Sequence, residues 1–200
     1  MIKLILSLIL IGFIQNFIAQ EAEKGFLVGN VISDSSSCKD DGYSYGLPSI
    51  LKSEYPIEIR FISSGFRGFS GAVLYYDSRW LLKIRPFEFG SNMTGWKTKE
   101  ETRNLDSLFA ELVANNIFSL PDQSDLNMEK YYYNPKTDEF IGTGMDVGCG
   151  SNYILEFKIG DKYRRYDCSN PDLFAEFYPG VYELKNYVHI VQIFETLIKE

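Results

Sequence analysis

Ile57-Glu58-Ile59-Arg60-Phe61 alternates apolar and charged side chains one for one. In an extended chain that period of two sends every apolar group to the same side, so these residues predict a β-strand with one buried face. Downstream, Val73-Leu74-Tyr75-Tyr76 and Trp80-Leu81-Leu82-Lys83-Ile84-Arg85 flank Asp77-Ser78-Arg79 and read as an antiparallel hairpin. A Gly-rich loop, Ser63-Ser64-Gly65-Phe66-Arg67-Gly68-Phe69-Ser70-Gly71, joins the first strand to this hairpin. The three strands form a meander.

Further along, Thr98-Lys99-Glu100-Glu101 has the spacing of a capping box and predicts a helix start. Leu105, Leu108, Phe109, Leu112 and Val113 then recur at three-and-four spacing, an apolar stripe that must lie on the sheet, and the helix ends near Asn115-Asn116. Residues 119–151, with Pro121, Pro135 and several glycines, offer only a short strand at Glu139-Phe140-Ile141. A second hairpin follows, Tyr153 to Ile159 and Lys162 to Tyr166, turning at Gly160-Asp161. Asn170-Pro171-Asp172 places a capping residue before a proline suited to the first helical position. Pro179-Gly180 ends that short helix, and Leu184, Tyr187, Val188, Val191, Phe194, Leu197 and Ile198 mark a terminal one. The expected class is α+β: an antiparallel sheet in two strand-then-helix halves, βββα then ββα, with helices packed on one face.

At the start of the chain, Lys3 precedes an aliphatic run from Leu4 to Ile14 that Gln15 and Asn16 close. This is the layout of a secretory signal peptide, with the cut placed after Ala19. The run is shorter than the roughly 20 apolar residues that span a bilayer, so no stable membrane anchor is expected after processing. The expected organisation is a signal peptide at 1–19, a largely irregular segment at 20–55 rich in Ser, Asp and Gly, and a single domain at 56–200. An exported chain, periplasmic or secreted, is the reading that follows.

The formal charge is -7, and loss of Lys3 takes it to -8. Nucleic acid and anionic membrane surfaces are therefore excluded as expected partners, because neither meets a cluster of Lys and Arg. Three cysteines, Cys38, Cys149 and Cys168, would face an oxidising compartment, where two are expected to pair. The late hairpin sets Tyr153 opposite Cys168, with Cys149 four residues beyond, an offset of about 13 Å unless Gly148 or Gly150 folds the chain back. Cys149 with Cys168 ranks first, and Cys38 with either one second.

No catalytic signature is present. His189 is the sole histidine, and neither a nucleophile elbow nor a zinc-ligand spacing accompanies it, so catalytic residues are unassigned and no metal or cofactor is expected. Asp122 to Glu129 imitates a calcium loop but lacks its glycine and its ligand positions. Paired carboxylates such as Asp138 and Asp146 would suit a hydrolase if they converged in space. The features singled out for binding are aromatic: Phe66, Arg67 and Phe69 in the Gly-rich loop, and Trp96 beyond the Phe87–Phe89 stretch. Aromatic rings and Arg are the usual anchors of recognition sites.

The aliphatic leader, the strand pair from Val73 to Arg85, the helix running into Asn116-Ile117-Phe118-Ser119-Leu120 and the late hairpin before a terminal helix together resemble a family of uncharacterised exported bacterial proteins. The resemblance spans Ile57 to Ile198 and implies compartment and fold, with no activity attached. The functional expectation is a binding or inhibitor-like module of the cell envelope, with an envelope or extracellular protein as partner. The alternative is an exported hydrolase using carboxylates as acid and base.

Overall fold

The computed structural model describes residues 45–65, 68–86, 95–99, 104–147 and 150–199. Residues 1–19, Cys38, Cys149, Phe66 and Arg67 lie outside them. The early meander forms as expected from β1 (Ile57–Gly65), β2 (Gly68–Asp77) and β3 (Arg79–Arg85). The Gly-rich stretch is shorter as a loop than its composition suggests: the strands pair up to Gly65 opposite Gly68, so Phe69, Ser70 and Gly71 belong to β2. A short β4 (Lys97–Lys99) adds to the edge of β3.

This last strand corrects the expected helix start. Thr98 sits opposite Lys83 in the sheet. The helix α1 (Leu105–Ala114) begins later, capped by Asn104, whose Oδ1 accepts from the amides of Asp106 at 3.0 Å and Ser107 at 3.4 Å. Its other end closes as expected, with Asn116 left-handed at φ 58°. The Asn116 amide donates to Val113 O and that of Ile117 to Leu112 O, the paired bonds of a Schellman motif.

Two strands stand apart as an antiparallel arm, β5 (Lys130–Asn134) and β6 (Glu139–Thr143). The second was foreshadowed at Glu139–Ile141; the first, Lys-Tyr-Tyr-Tyr-Asn, carries no period-two signal. The late hairpin is β7 (Asn152–Ile159) and β8 (Lys162–Ser169), in the expected register: Ile159 faces Lys162 and Tyr153 faces Cys168. Gly160 turns it at φ 59°, a conformation glycine adopts without strain. Helices α2 (Pro171–Phe177) and α3 (Tyr182–Lys199) complete the chain. Pro171 opens α2 as expected, but the Asn170 side chain does not cap it; Oδ1 accepts from the Ser151 amide at 3.0 Å.

The main sheet runs β4-β3-β2-β1-β7-β8, antiparallel throughout, with β1 pairing with both hairpins. The fold is thus α+β, and the two strand groups share one continuous sheet. On one face, Ile59, Phe61, Leu74, Leu82, Leu155 and Phe157 meet Leu108, Phe109 and Leu112 of α1 and the apolar stripe of α3. Phe61 stacks on Phe194 with ring centroids 4.8 Å apart. The segment after α1 is stitched down by side-chain donors. Tyr166 Oη donates to Ile117 O at 2.9 Å, Arg164 to Phe118 O and Leu120 O, and Tyr187 Oη to Pro121 O.

Cys168 points into this core as a free thiol, where the sequence reading expected a bridge to Cys149. Its side chain shares the core face with Tyr166, which leaves it buried among apolar groups. Among the described residues, no helix is long and apolar enough to cross a membrane.

Burial, the dominant cause in each case, raises the pKa of Tyr166 and Tyr187 and pushes the Cys168 thiol up to about 12. Released by unfolding, these groups ionise near their ordinary values of 9.0 for Cys and 10.0 for Tyr. The unfolded chain therefore binds fewer protons than the folded one once the pH exceeds 9, and stability falls with rising pH. Urea titrations at pH 8 and pH 10.5 should give a lower midpoint at the higher pH, and Tyr187→Phe should flatten the difference. A midpoint that rises with pH would contradict the assignment.

Candidate functional site

The face of the sheet opposite the helices holds what the alternation in β1 left open. Glu58 and Arg60 occupy the positions that a one-faced strand would give to water, yet they are 2% and 1% exposed. The segment 45–56, with a 3-10 turn at Ile50–Lys52, contributes the apolar cover: Leu47 packs with Ile62, Val73, Tyr75 and Ile154 in a second cluster. Both faces of β1 are therefore buried.

Burying a guanidinium requires counter-charge. Arg60 Nε donates to Glu58 Oε1 at 2.6 Å, and Arg60 Nη1 lies 3.7 Å from Glu156 Oε2, across the β1–β7 pair. Glu156 is also held from its other side, accepting from Tyr163 Oη at 3.0 Å with Arg165 Nη1 at 3.8 Å. Glu156 thus faces Arg60, Tyr163 and Arg165, and among the described residues Arg60 Nη1 is buried without a hydrogen bond.

A cavity of about 580 Å³ opens between this face and the segment 46–55. Its floor is Glu58, Arg60, Tyr75 and Lys83, and its walls include Leu47, Tyr55 and Trp96. Lys83 places Nζ 5.0 Å from the centre of the Tyr75 ring. Burial, helped by the nearby Glu58 charge, raises Tyr75 to about 12, so its hydroxyl remains a proton donor at neutral pH.

Of the residues singled out from sequence, Phe69 and Trp96 come together on this face, half-buried against the second cluster. Phe69 meets Tyr45 edge-on at 5.0 Å, with the Arg85 guanidinium 4.0 Å from its ring centre. Trp96 Nε1 donates to Tyr45 O at 2.9 Å. The indole ring lies so close over β2 that a Cβ on Gly71 would come within 2.7 Å of it and of Phe61 O. Trp96 thus serves as a wall of the cavity. Phe66 and Arg67 are outside the described residues.

A second cavity of about 600 Å³ lies near the end of the β1–β7–β8 strands, lined in part by Gln123, Tyr153, Cys168 and Phe174. The carboxylates proposed as an acid/base pair do not line either cavity: Asp138 accepts from Tyr133 Oη at 2.7 Å in the arm, and Asp146 is exposed in the segment after it. Among the described residues, no group of three or more His, Cys, Asp or Glu is placed to hold a metal ion. His189 Nδ1 lies 3.1 Å from Asn115 Oδ1, joining α3 to the end of α1.

The arm is the feature that residue types alone did not reveal. Register puts Tyr131, Tyr133 and Phe140 on one of its faces, exposed by 58%, 50% and 74%. Tyr133 and Phe140 rings are 5.5 Å apart, and the Tyr131 ring lies over Gly142. The Tyr131 hydroxyl donates to Glu129 at 3.1 Å. The body is held from the other face, where Lys130 Nζ donates to Phe177 O at 3.2 Å and sits 4.1 Å from the Phe177 ring centre. The usable signal in the sequence was three consecutive tyrosines followed at a turn's length by Phe140.

Compared with protein-family models, with curated proteins and with solved structures, the chain has no match.

Truncating one member of a buried ion cluster leaves the others charged and unpaired. Arg60→Met should cost about 3–5 kcal/mol, whereas Arg60→Met combined with Glu58→Leu and Glu156→Leu should regain much of that loss. Equal urea midpoints for the single and triple variants would contradict the role given to the cluster.

Proposed function

We propose that this chain is an exported partner-binding module of the cell envelope, and that the β5–β6 arm is its contact surface. The observation that carries this reading is the exposure of Tyr131, Tyr133 and Phe140 on one face of a two-stranded arm. In the core, by contrast, Phe61, Phe157, Tyr166, Tyr187 and Phe194 are each 1% exposed or less. Solvating three clustered rings is unfavourable at roughly 25 cal/mol per Å² of apolar surface, so a face of this kind is a candidate interaction site. Tyrosine suits such contacts because it presents a broad rigid surface with a polar tip.

Among the described residues, each strand of the arm also has an unpaired edge, which can accept an extended segment of a partner by main-chain hydrogen bonds. The aliphatic leader at residues 4–14 supports export, as does the resemblance to exported bacterial proteins. A hydrolase has weaker support. The carboxylates that do converge, Glu58 and Glu156, converge on Arg60, which commits them to a structural ion cluster.

The test compares the parent chain with Tyr131→Ser/Phe140→Ser, substituted at exposed positions where the fold should lose less than about 0.5 kcal/mol. Crosslinking in the producing cell's envelope should yield a defined adduct with the parent and none with the double variant at unchanged melting temperature. Full retention of the adduct by the double variant would refute the assignment of the arm.

A further inference from the structure

Three residues with donor groups, Arg60, Tyr75 and Lys83, line the cavity on the polar face of the sheet. Arg60 is 1% exposed, and among the described residues its Nη1 has no hydrogen bond. The Tyr75 hydroxyl makes no hydrogen bond among the described residues, and there Lys83 has a ring contact but no ion pair. All three residues line the same space of about 580 Å³. For Arg60 Nη1, a buried donor stripped of water and left unbonded, the cost is about 1–3 kcal/mol, which an arriving acceptor removes. The arrangement is therefore short of an acceptor.

The missing acceptor is narrowed by charge. The cavity lining balances three basic side chains, Lys52, Arg60 and Lys83, against three acidic ones, Glu54, Glu58 and Asp77. Of these, Glu58 accepts from Arg60 Nε through Oε1. Glu156 is drawn toward Tyr163 and Arg165, which keeps its oxygen 3.7 Å from Arg60 Nη1. A single added negative charge meets Arg60 and Lys83 without loading the floor with excess anion. Part of the cavity wall is apolar and aromatic, with Leu47, Pro48, Tyr55 and Trp96, beside the polar Ser49, Lys52, Ser53 and Glu54. Such walls favour a ligand whose anionic head is joined to an apolar body.

We propose that this cavity binds a small organic monocarboxylate, its head on Arg60, Tyr75 and Lys83 and its apolar body against Tyr55 and Trp96. Charge-assisted hydrogen bonds from Arg and Lys to a carboxylate are roughly twice as strong as neutral ones, so the charged head is the main discriminator. The site lies on the sheet, apart from the arm assigned to partner binding, and stands independently of that assignment.

Calorimetric titration of the purified full chain with 3-phenylpropionate tests the proposal, with 3-phenylpropanamide and inorganic phosphate as the comparison probes. Saturable one-to-one binding of the carboxylate is expected, with the amide weaker by about tenfold or more, since it forfeits the charge-assisted contacts. Phosphate, which has no apolar body, should bind more weakly than the carboxylate. Arg60 is a poor position to vary, because its loss strands two buried carboxylates. Tyr75→Phe and Lys83→Met leave that cluster intact, and each should weaken the carboxylate by about fivefold to tenfold. Amide and carboxylate binding alike, phosphate binding more tightly, both variants matching the parent, or no saturable heat from 3-phenylpropionate would each overturn the proposal.

Discussion

Arg60 brings a full positive charge into the middle strand of the sheet, and much of the surrounding structure answers it. A guanidinium this deep is tolerated only with counter-charge close by. Glu58, two residues earlier on the same side of β1, and Glu156, directly opposite on β7, supply it. Tyr163 and Arg165 on β8 then hold Glu156 in turn. The charged row thereby runs across three adjacent strands, and register between the early meander and the late hairpin is pinned by it: a slip of one residue would carry Arg60 into the apolar core.

The same charge explains why the sheet has two unlike faces. Toward the helices the packing is apolar and aromatic, with Phe61 on Phe194 and Phe118 edge-on to Phe157. Away from the helices the segment 45–56 covers a layer that mixes Leu47 and Val73 with ionised groups. Mixed layers of this kind pack less completely than apolar ones, since charged heads demand particular partners, and here the packing leaves a cavity beside Tyr75 and Lys83.

Most strands and helices were legible in the residues, because each is set by short-range physics. Alternation at Ile57 to Phe61, the stripe at Leu105 to Val113 and Pro171 after Asn170 all lie where the sequence put them. What escaped were cases in which two local signals competed. Thr98 has the spacing of a cap, but strand pairing with Lys83 claims it, and Asn104 caps the helix. Glu58 and Arg60 look solvent-facing because alternation reports which side a residue takes, and cannot report whether that side is covered. The aromatics chosen for binding, Phe69 and Trp96, lie half-buried against the second apolar cluster, while Tyr131 and Phe140 stand in solvent. Nothing in residue type separates a ring that fills a core from one that faces water; only the partner strand's register does.

The arm's separation from the main sheet has a consequence for how this chain can change over generations. Among the described residues its strands pair only with each other, and Lys130 reaches the body from the face opposite Tyr131 and Phe140. Drift in those outward rings leaves the buried ion cluster and the helix-covered core untouched. Recognition and foldability are thus inherited on separate parts of the molecule, and the first can be rewritten while the second stays fixed.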